Sequence, residues 1–172
     1  SGRTTGKVVN ADGVSTGPLP STPAASGDSQ LATQADTLGN FAFDRVPTGL
    51  AILSASTLGG IDRGTSSADI TSNNTSNVTV TLNGVGSING HALDPSGQPV
   101  AGDITVAGSC AFPYSFTVQS QLDGNFALPQ VLAGPFTANL RAKSGEFFLY
   151  GTATGSVAPP QVAAVTVQVQ PS

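Results

Sequence analysis

Cysteine and histidine occur once each, and charge of either sign is scarce. With a single thiol, Cys110 cannot close an intrachain disulfide, and such a residue reads as a small buried apolar side chain. His91 has neither a second histidine nor a thiol pair to share a zinc ion with. A Ser–His–Asp arrangement needs a positioned base and an orienting acid, and the serines here are too abundant for their spacing to mean anything. His91 is therefore expected to be a strand histidine that is hydrogen-bonded or faces water. Lys and Arg number six against ten Asp and Glu, for a net charge of −4. No basic stripe exists to neutralise phosphates, which excludes nucleic acid as a partner. No apolar run approaches the ~20 residues that span a bilayer, so no membrane insertion is expected. Charged residues make up only 9% of the chain, against roughly 25% in ordinary soluble domains. Apolar residues reach 38% and alternate with polar ones, so the composition indicates folded β structure rather than a disordered linker.

What the chain does have is itself, twice. Thr37-Leu38-Gly39-Asn40-Phe41-Ala42-Phe43, with Val46 and Gly49 beyond, returns 85 positions later as Leu122-Asp123-Gly124-Asn125-Phe126-Ala127-Leu128, with Val131 and Gly134. Upstream, the stretch from Gly6 to Gly13 is answered by Gly90 to Gly97, and downstream Val78 to Leu82 is answered by Val165 to Val169. Three matched blocks in one order indicate a duplicated domain, with repeats over residues 1–84 and 85–172. Each is small but large enough for a sandwich core.

Within each repeat the periodicity is two. Val78, Val80 and Leu82 alternate with threonines, and Phe41 with Phe43, like Phe126 with Leu128, falls on one face of a strand. Gly39 and Gly124 sit where a tight turn needs positive φ, in what reads as a hairpin. Pro18, Pro20 and Pro23 argue for an edge or loop path. Residues 59 to 70 are weakly patterned. About seven short strands per repeat and no helix predict an all-β fold of two tandem Ig-like, prealbumin-like antiparallel β-sandwiches. Only residues 83–87 separate the last strand of one repeat from the first of the next, which predicts an end-to-end pair.

This pattern of an opening Gly-x-Val, an Asp-Gly or Ser-Gly turn, Gly-x-Phe-x-Phe, Val-Pro-x-Gly and a closing Val-Thr-Val resembles the carboxypeptidase regulatory-like domain. That group shares a transthyretin-like sandwich with the Cna-B domains of bacterial surface proteins. Repeat two departs from it at Leu132-Ala133, where repeat one has Pro47-Thr48. The resemblance implies non-catalytic roles as spacer, stalk or adhesive module, placed in the exported or surface fraction, with other domains of a longer protein as partners. It also raises the Lys–Asn isopeptide crosslink of some Cna-B domains, for which Lys7 with Asn77 or Asn83, assisted by Asp36 or Asp69, is the available set. Repeat two carries His91 where Lys7 stands.

The remaining candidates are few. Asp12, Asp94, Asp103 and Asp123 lie in or near turns where calcium ligands can converge, but no Asp-x-Asp-x-Asp loop occurs, and turn aspartates usually serve local backbone hydrogen bonds. No cofactor, metal or enzymatic activity is expected. Aromatics are uneven: repeat one has only Phe41 and Phe43, and repeat two has the other eight. Phe112, Tyr114 and Phe116 alternate and would share a face in a strand. With Tyr150 they form the candidate ligand surface, for a glycan or a surface protein. Phe147 and Phe148 are adjacent, so at least one should be exposed. The isolated fragment is expected to be a monomer. Gly39, Phe41, Phe43, Gly124, Phe126 and Leu128 are read as turn and core rather than chemistry.

Overall fold

The computed structural model describes residues 1–13, 24–26, 31–57 and 60–171, and the prolines between residues 14 and 23 lie outside them. The chain divides into two compact units, Ser1–Gly84 and Val85–Ser172. Among the described residues there is no helix.

The first unit contains β1 (Gly2–Val9), β2 (Ala24–Ser26), β3 (Leu31–Ala32), β4 (Asn40–Val46), β5 (Gly49–Ser56), β6 (Arg63–Ile70) and β7 (Thr75–Thr81). They form one sheet of order β4-β1-β7 and another of order β3-β2-β5-β6. The second unit contains β8 (Val85–Leu93), β9 (Gly102–Gly108), β10 (Tyr114–Gln119), β11 (Asn125–Leu132), β12 (Gly134–Ser144), β13 (Phe147–Val157) and β14 (Val162–Gln168). Its sheets are β11-β8-β14 and β10-β9-β12-β13, the same order strand for strand.

One pairing in each unit departs from an antiparallel sandwich: β1 runs parallel to β7, and β8 parallel to β14. Parallel neighbours need a long crossover, and here the rest of the unit supplies it. The turns at Gly39 and Gly124 also differ from expectation. They do not close hairpins, because β4 and β11 hydrogen-bond to β1 and β8 rather than to the strands that precede them. Each turn instead carries the chain from one sheet to the other. The weakly patterned stretch becomes β6, whose inward positions are Gly64, Ser66, Ala68 and Ile70. Such small residues carry little hydropathy contrast.

Each unit seals its own core. Val8, Phe41, Phe43, Val46, Ala51, Leu53, Ala55, Ile70, Val78, Val80 and Leu82 pack in the first. The second core draws Ile88, Phe126, Leu128, Val165 and Val167 from one sheet and Ile104, Val106, Phe136, Leu140 and Val157 from the other. Burying one such large side chain is worth ~1.5–3 kcal/mol. Both edge strands β4 and β11 carry a bulge at matching places, before Val46 and Val131. Pro129 falls inside the second bulge, where a missing N–H costs little.

Glycines let the rings lie flat. Gly6 pairs with Phe41 and Gly90 with Phe126 across neighbouring strands, and a Cβ at either glycine would run into that ring. In the second unit Tyr114, Gly108, Phe136 and Gly155 form a single row across all four strands. The first unit has Ala51 opposite Ala68 where the second has Phe136 opposite Gly155, so one large side chain beside none replaces two small ones.

One core position is poorly chosen. Thr4 is buried at 1% exposure, and its hydroxyl meets no hydrogen-bond partner among the described residues. The matching position of the second unit is Ile88, fully buried and opposite Leu128 as Thr4 is opposite Phe43. Thr4→Val should therefore raise stability by ~1 kcal/mol, the desolvation cost of an unpaired hydroxyl. Urea denaturation checks it: an unchanged or lower midpoint means that the hydroxyl is satisfied.

Candidate functional site

The polar residues of the duplicated blocks fold into one kind of turn, seen complete three times among the described residues. In Asp36–Asn40, Asp94–Gln98 and Gln121–Asn125 the glycine N–H donates back to the first residue's carbonyl, at 2.9, 3.0 and 2.9 Å. The first residue's N–H donates forward to the fifth residue's carbonyl, at 2.8, 2.7 and 2.9 Å. Gly39, Gly97 and Gly124 adopt φ of 82°, 84° and 78°, a region L side chains avoid. Gly39 and Gly124 are further pinned because their carbonyls accept from Val8 N and Ala92 N, both at 2.8 Å.

The turn carboxylates are committed to these loops. Asp36 Oδ1 accepts from Asn40 N at 2.8 Å and Leu38 N at 2.9 Å, and its Oδ2 accepts from the Asn40 amide at 3.1 Å. Asp94 Oδ1 accepts from the Ser96 hydroxyl at 2.6 Å, Ser96 N at 2.8 Å and Gln98 N at 2.9 Å. Asp123 accepts from Asn125 N at 3.0 Å and from the Asn125 amide at 2.6 Å. These donors hold all three carboxyls below the usual carboxylate range: the Asn40 backbone first for Asp36, the Ser96 hydroxyl for Asp94, the Asn125 backbone for Asp123. A carboxyl whose folded pKa is depressed stabilises the fold above its unfolded pKa, and the contribution is lost as pH falls through the folded value. The melting temperature should thus hold from neutral pH to about 5 and decline below about 4. Combining Asp36→Asn, Asp94→Asn and Asp123→Asn should flatten that decline. An identical acid slope in the variant would show that the turns do not contribute.

Among the described residues no three His, Cys, Asp or Glu side chains gather as metal ligands. Asp103 faces Gln119, whose amide donates to it at 3.2 Å. No helix among the described residues is long and apolar enough to cross a membrane. Cys110 is half-buried and directs its thiol to the Phe112 carbonyl at 3.1 Å. His91 is exposed on β8, in a shallow depression of about 450 Å³ with Asn89, Gln121, Asn125 and Thr166. Among the described residues no serine lines that depression. Lys7 belongs to the same set of β1 positions as Thr5 and Val9, opposite to the core-facing Val8.

The four aromatics proposed as one ligand surface are not brought together. Phe112 precedes β10 and is half-buried. Tyr114 and Phe116 lie on the inner side of β10, with ring centroids 5.5 Å apart. Tyr114 packs against the core and covers Gly108, while burial pushes its phenol pKa up, with Cys110 adding to the effect. Phe116 is 46% exposed at the sheet edge. Tyr150, 63% exposed, belongs to β13, the opposite edge strand, on the opposite face. Side-chain alternation decides this: Tyr150 is in register with the outward Arg141, Tyr114 with the inward Gly108.

Sequence reasoning missed the outer face beside Tyr150. The β12–β13 hairpin runs past the end of β9, whose pairing stops at Gly102 opposite Ala142. Phe147 and Phe148 both lie on this extension, so both are exposed, at 75% and 43%. The Arg141 guanidinium sits over the Phe148 ring, 3.9 Å from its centroid. The available signal was that Arg141 and Lys143 are the only Lys or Arg residues in 85–172.

No protein family matches the sequence, and no curated protein does. Solved structures do. A minor pilin of Streptococcus agalactiae aligns over 100% of this chain and 98% of its own, with a TM-score of 0.67 at 11% identity. A streptococcal ancillary pilin aligns over 99% of this chain with a TM-score of 0.54 at 10% identity, and this chain spans only 63% of it. At such identity the likeness shows a shared β-sandwich fold.

Proposed function

We propose that the chain is a non-catalytic structural and interaction segment of a larger exported bacterial surface protein. In this reading residues 1–84 and 85–172 are tandem copies of a carboxypeptidase regulatory-like, Cna-B-type domain, and the partners are other domains of the same protein. One observation carries it: the residues that recur between the units make turns, seats for rings and core, and none of them converges on a reacting centre. Gly6, Gly39, Phe41 and Val46 have their counterparts in Gly90, Gly124, Phe126 and Val131. The solved chains of like fold are described as pilins, which supports the surface placement.

Antibodies against the chain should label intact cells of the source bacterium, and external protease should remove the label. Labelling that requires lysis would overturn the surface placement. A second reading, a glycan- or protein-binding module on the second unit, is favoured by the exposure of Tyr150 and Phe148.

A further inference from the structure

We propose that the outer face of the β10–β9–β12–β13 sheet binds a carboxylated polysaccharide through Arg141, Lys143, Phe148 and Tyr150, with Asp103 and Gln119 alongside. The proposal rests on the second reading above and specifies its site and ligand class.

The first unit serves as an internal control. It builds the same sheet with Ser56 where Arg141 stands and Arg63 where Tyr150 stands, and its β5–β6 pairing ends at that rung. The fold therefore does not require this set. Exposed aromatics lose apolar burial for no structural return, and here Phe148 and Tyr150 hold successive outward positions of one strand.

The arrangement suits one chemistry. Gln119, Asp103, Arg141 and Tyr150 stand in register across all four strands. Lys143 follows one rung on, paired with Phe148. Asp103, Gln119, Arg141, Lys143 and Phe148 among others line a shallow depression of about 270 Å³, and Tyr150 stands next to Arg141 beyond that lining. Arg141 stacks on Phe148 rather than pairing with its neighbour Asp103, which keeps its N–H donors for an incoming acceptor. Arg141 and Lys143 supply charge for a carboxylate. Tyr150 supplies a flat apolar surface for the C–H face of a sugar ring. Asp103 only accepts hydrogen bonds when ionised, so it calls for hydroxyl donors, which sugars have in quantity. The side chains of a run of acidic residues in a peptide lack such hydroxyls.

Affinity electrophoresis of the whole chain through gels containing polygalacturonate, dextran or polyglutamate tests this at pH 7 and low salt. Net charge −4 opposes binding to any polyanion, so retardation reports the local patch. Polygalacturonate should retard the chain, and dextran and polyglutamate should not. Arg141→Ala and Tyr150→Ala should each weaken the interaction roughly tenfold, with unaltered melting curves because both side chains lie outside the core. Raising salt to about 0.5 M should weaken it as well. The proposal is overturned if polygalacturonate fails to retard the chain, if dextran or polyglutamate does so equally, or if both variants bind as the parent does. Cell-surface labelling is scored separately, so failure here leaves the surface placement standing.

Discussion

Phe126→Ala should cost the second unit roughly 3–5 kcal/mol, a large share of the ~5–15 kcal/mol that holds a small domain together. The ring is 5% exposed and fills the core directly over Gly90. Truncation removes both the apolar surface and the cover of a side-chain-free stretch of β8. The pair makes a sharper test than either residue alone. A Cβ at Gly90 would meet Phe126 ring atoms before anything else, so Gly90→Ala should be severely destabilising in the parent chain. In the Phe126→Ala background that conflict is gone, and adding Gly90→Ala should cost little. Hydrogen exchange of peptides from 85–172 during a urea titration would read this non-additivity. Simple addition of the two penalties would show that the ring does not rest on the glycine.

Gly151→Ala should be at least as damaging, on the order of 4 kcal/mol or more. Its φ is ordinary, but a Cβ there would overlap the Gln168 carbonyl oxygen and come within 2.6 Å of the Gln168 carbonyl carbon and 2.9 Å of the Val169 Cα. All three atoms are backbone, so no rotamer change relieves the overlap. Gly64 meets Thr81 and Leu82 in the same way. At these places the two sheets of a unit are joined by a backbone bond, Gln170 N to the Tyr150 carbonyl at 3.0 Å and Asn83 N to the Arg63 carbonyl at 2.7 Å. Gly145→Ala is the contrast: its φ is 62° with nothing within 4 Å of an added Cβ, so only the left-handed penalty of about 1–2 kcal/mol applies. If Gly145→Ala proved the more harmful of the two, close approach would not be what fixes that corner. Thermal melts of the two variants decide.

The sequence made the strands legible because alternation records which side of a strand is wet. It was weaker on which strands are neighbours. Nothing in Val78-Thr79-Val80 distinguishes a parallel partner from an antiparallel one, and nothing in Leu38-Gly39-Asn40 distinguishes a hairpin from a crossing between sheets. Gly64 and Gly151 escaped notice because only Gly64-Thr65 and Gly151-Thr152 are identical between β6 and β13, too little to read as a repeated block. Tyr114 was misjudged for a related reason: its orientation is decided by Gly108, a residue on another strand. The Arg141 face was missed because a charge pair near a hairpin end reads as solvated surface until register places it beside Tyr150 and Asp103.

The parallel pairing of first and last strands has a mechanical consequence. In each unit the chain enters at the start of β1 or β8 and leaves at the end of β7 or β14, alongside it and heading the same way. Entry and exit therefore stand a strand's length apart, about 20–25 Å for seven paired residues. Tension between those two points loads the strand pair lengthwise, so its hydrogen bonds share the force and must slide together. A hairpin pulled by its two ends would instead peel open one rung at a time.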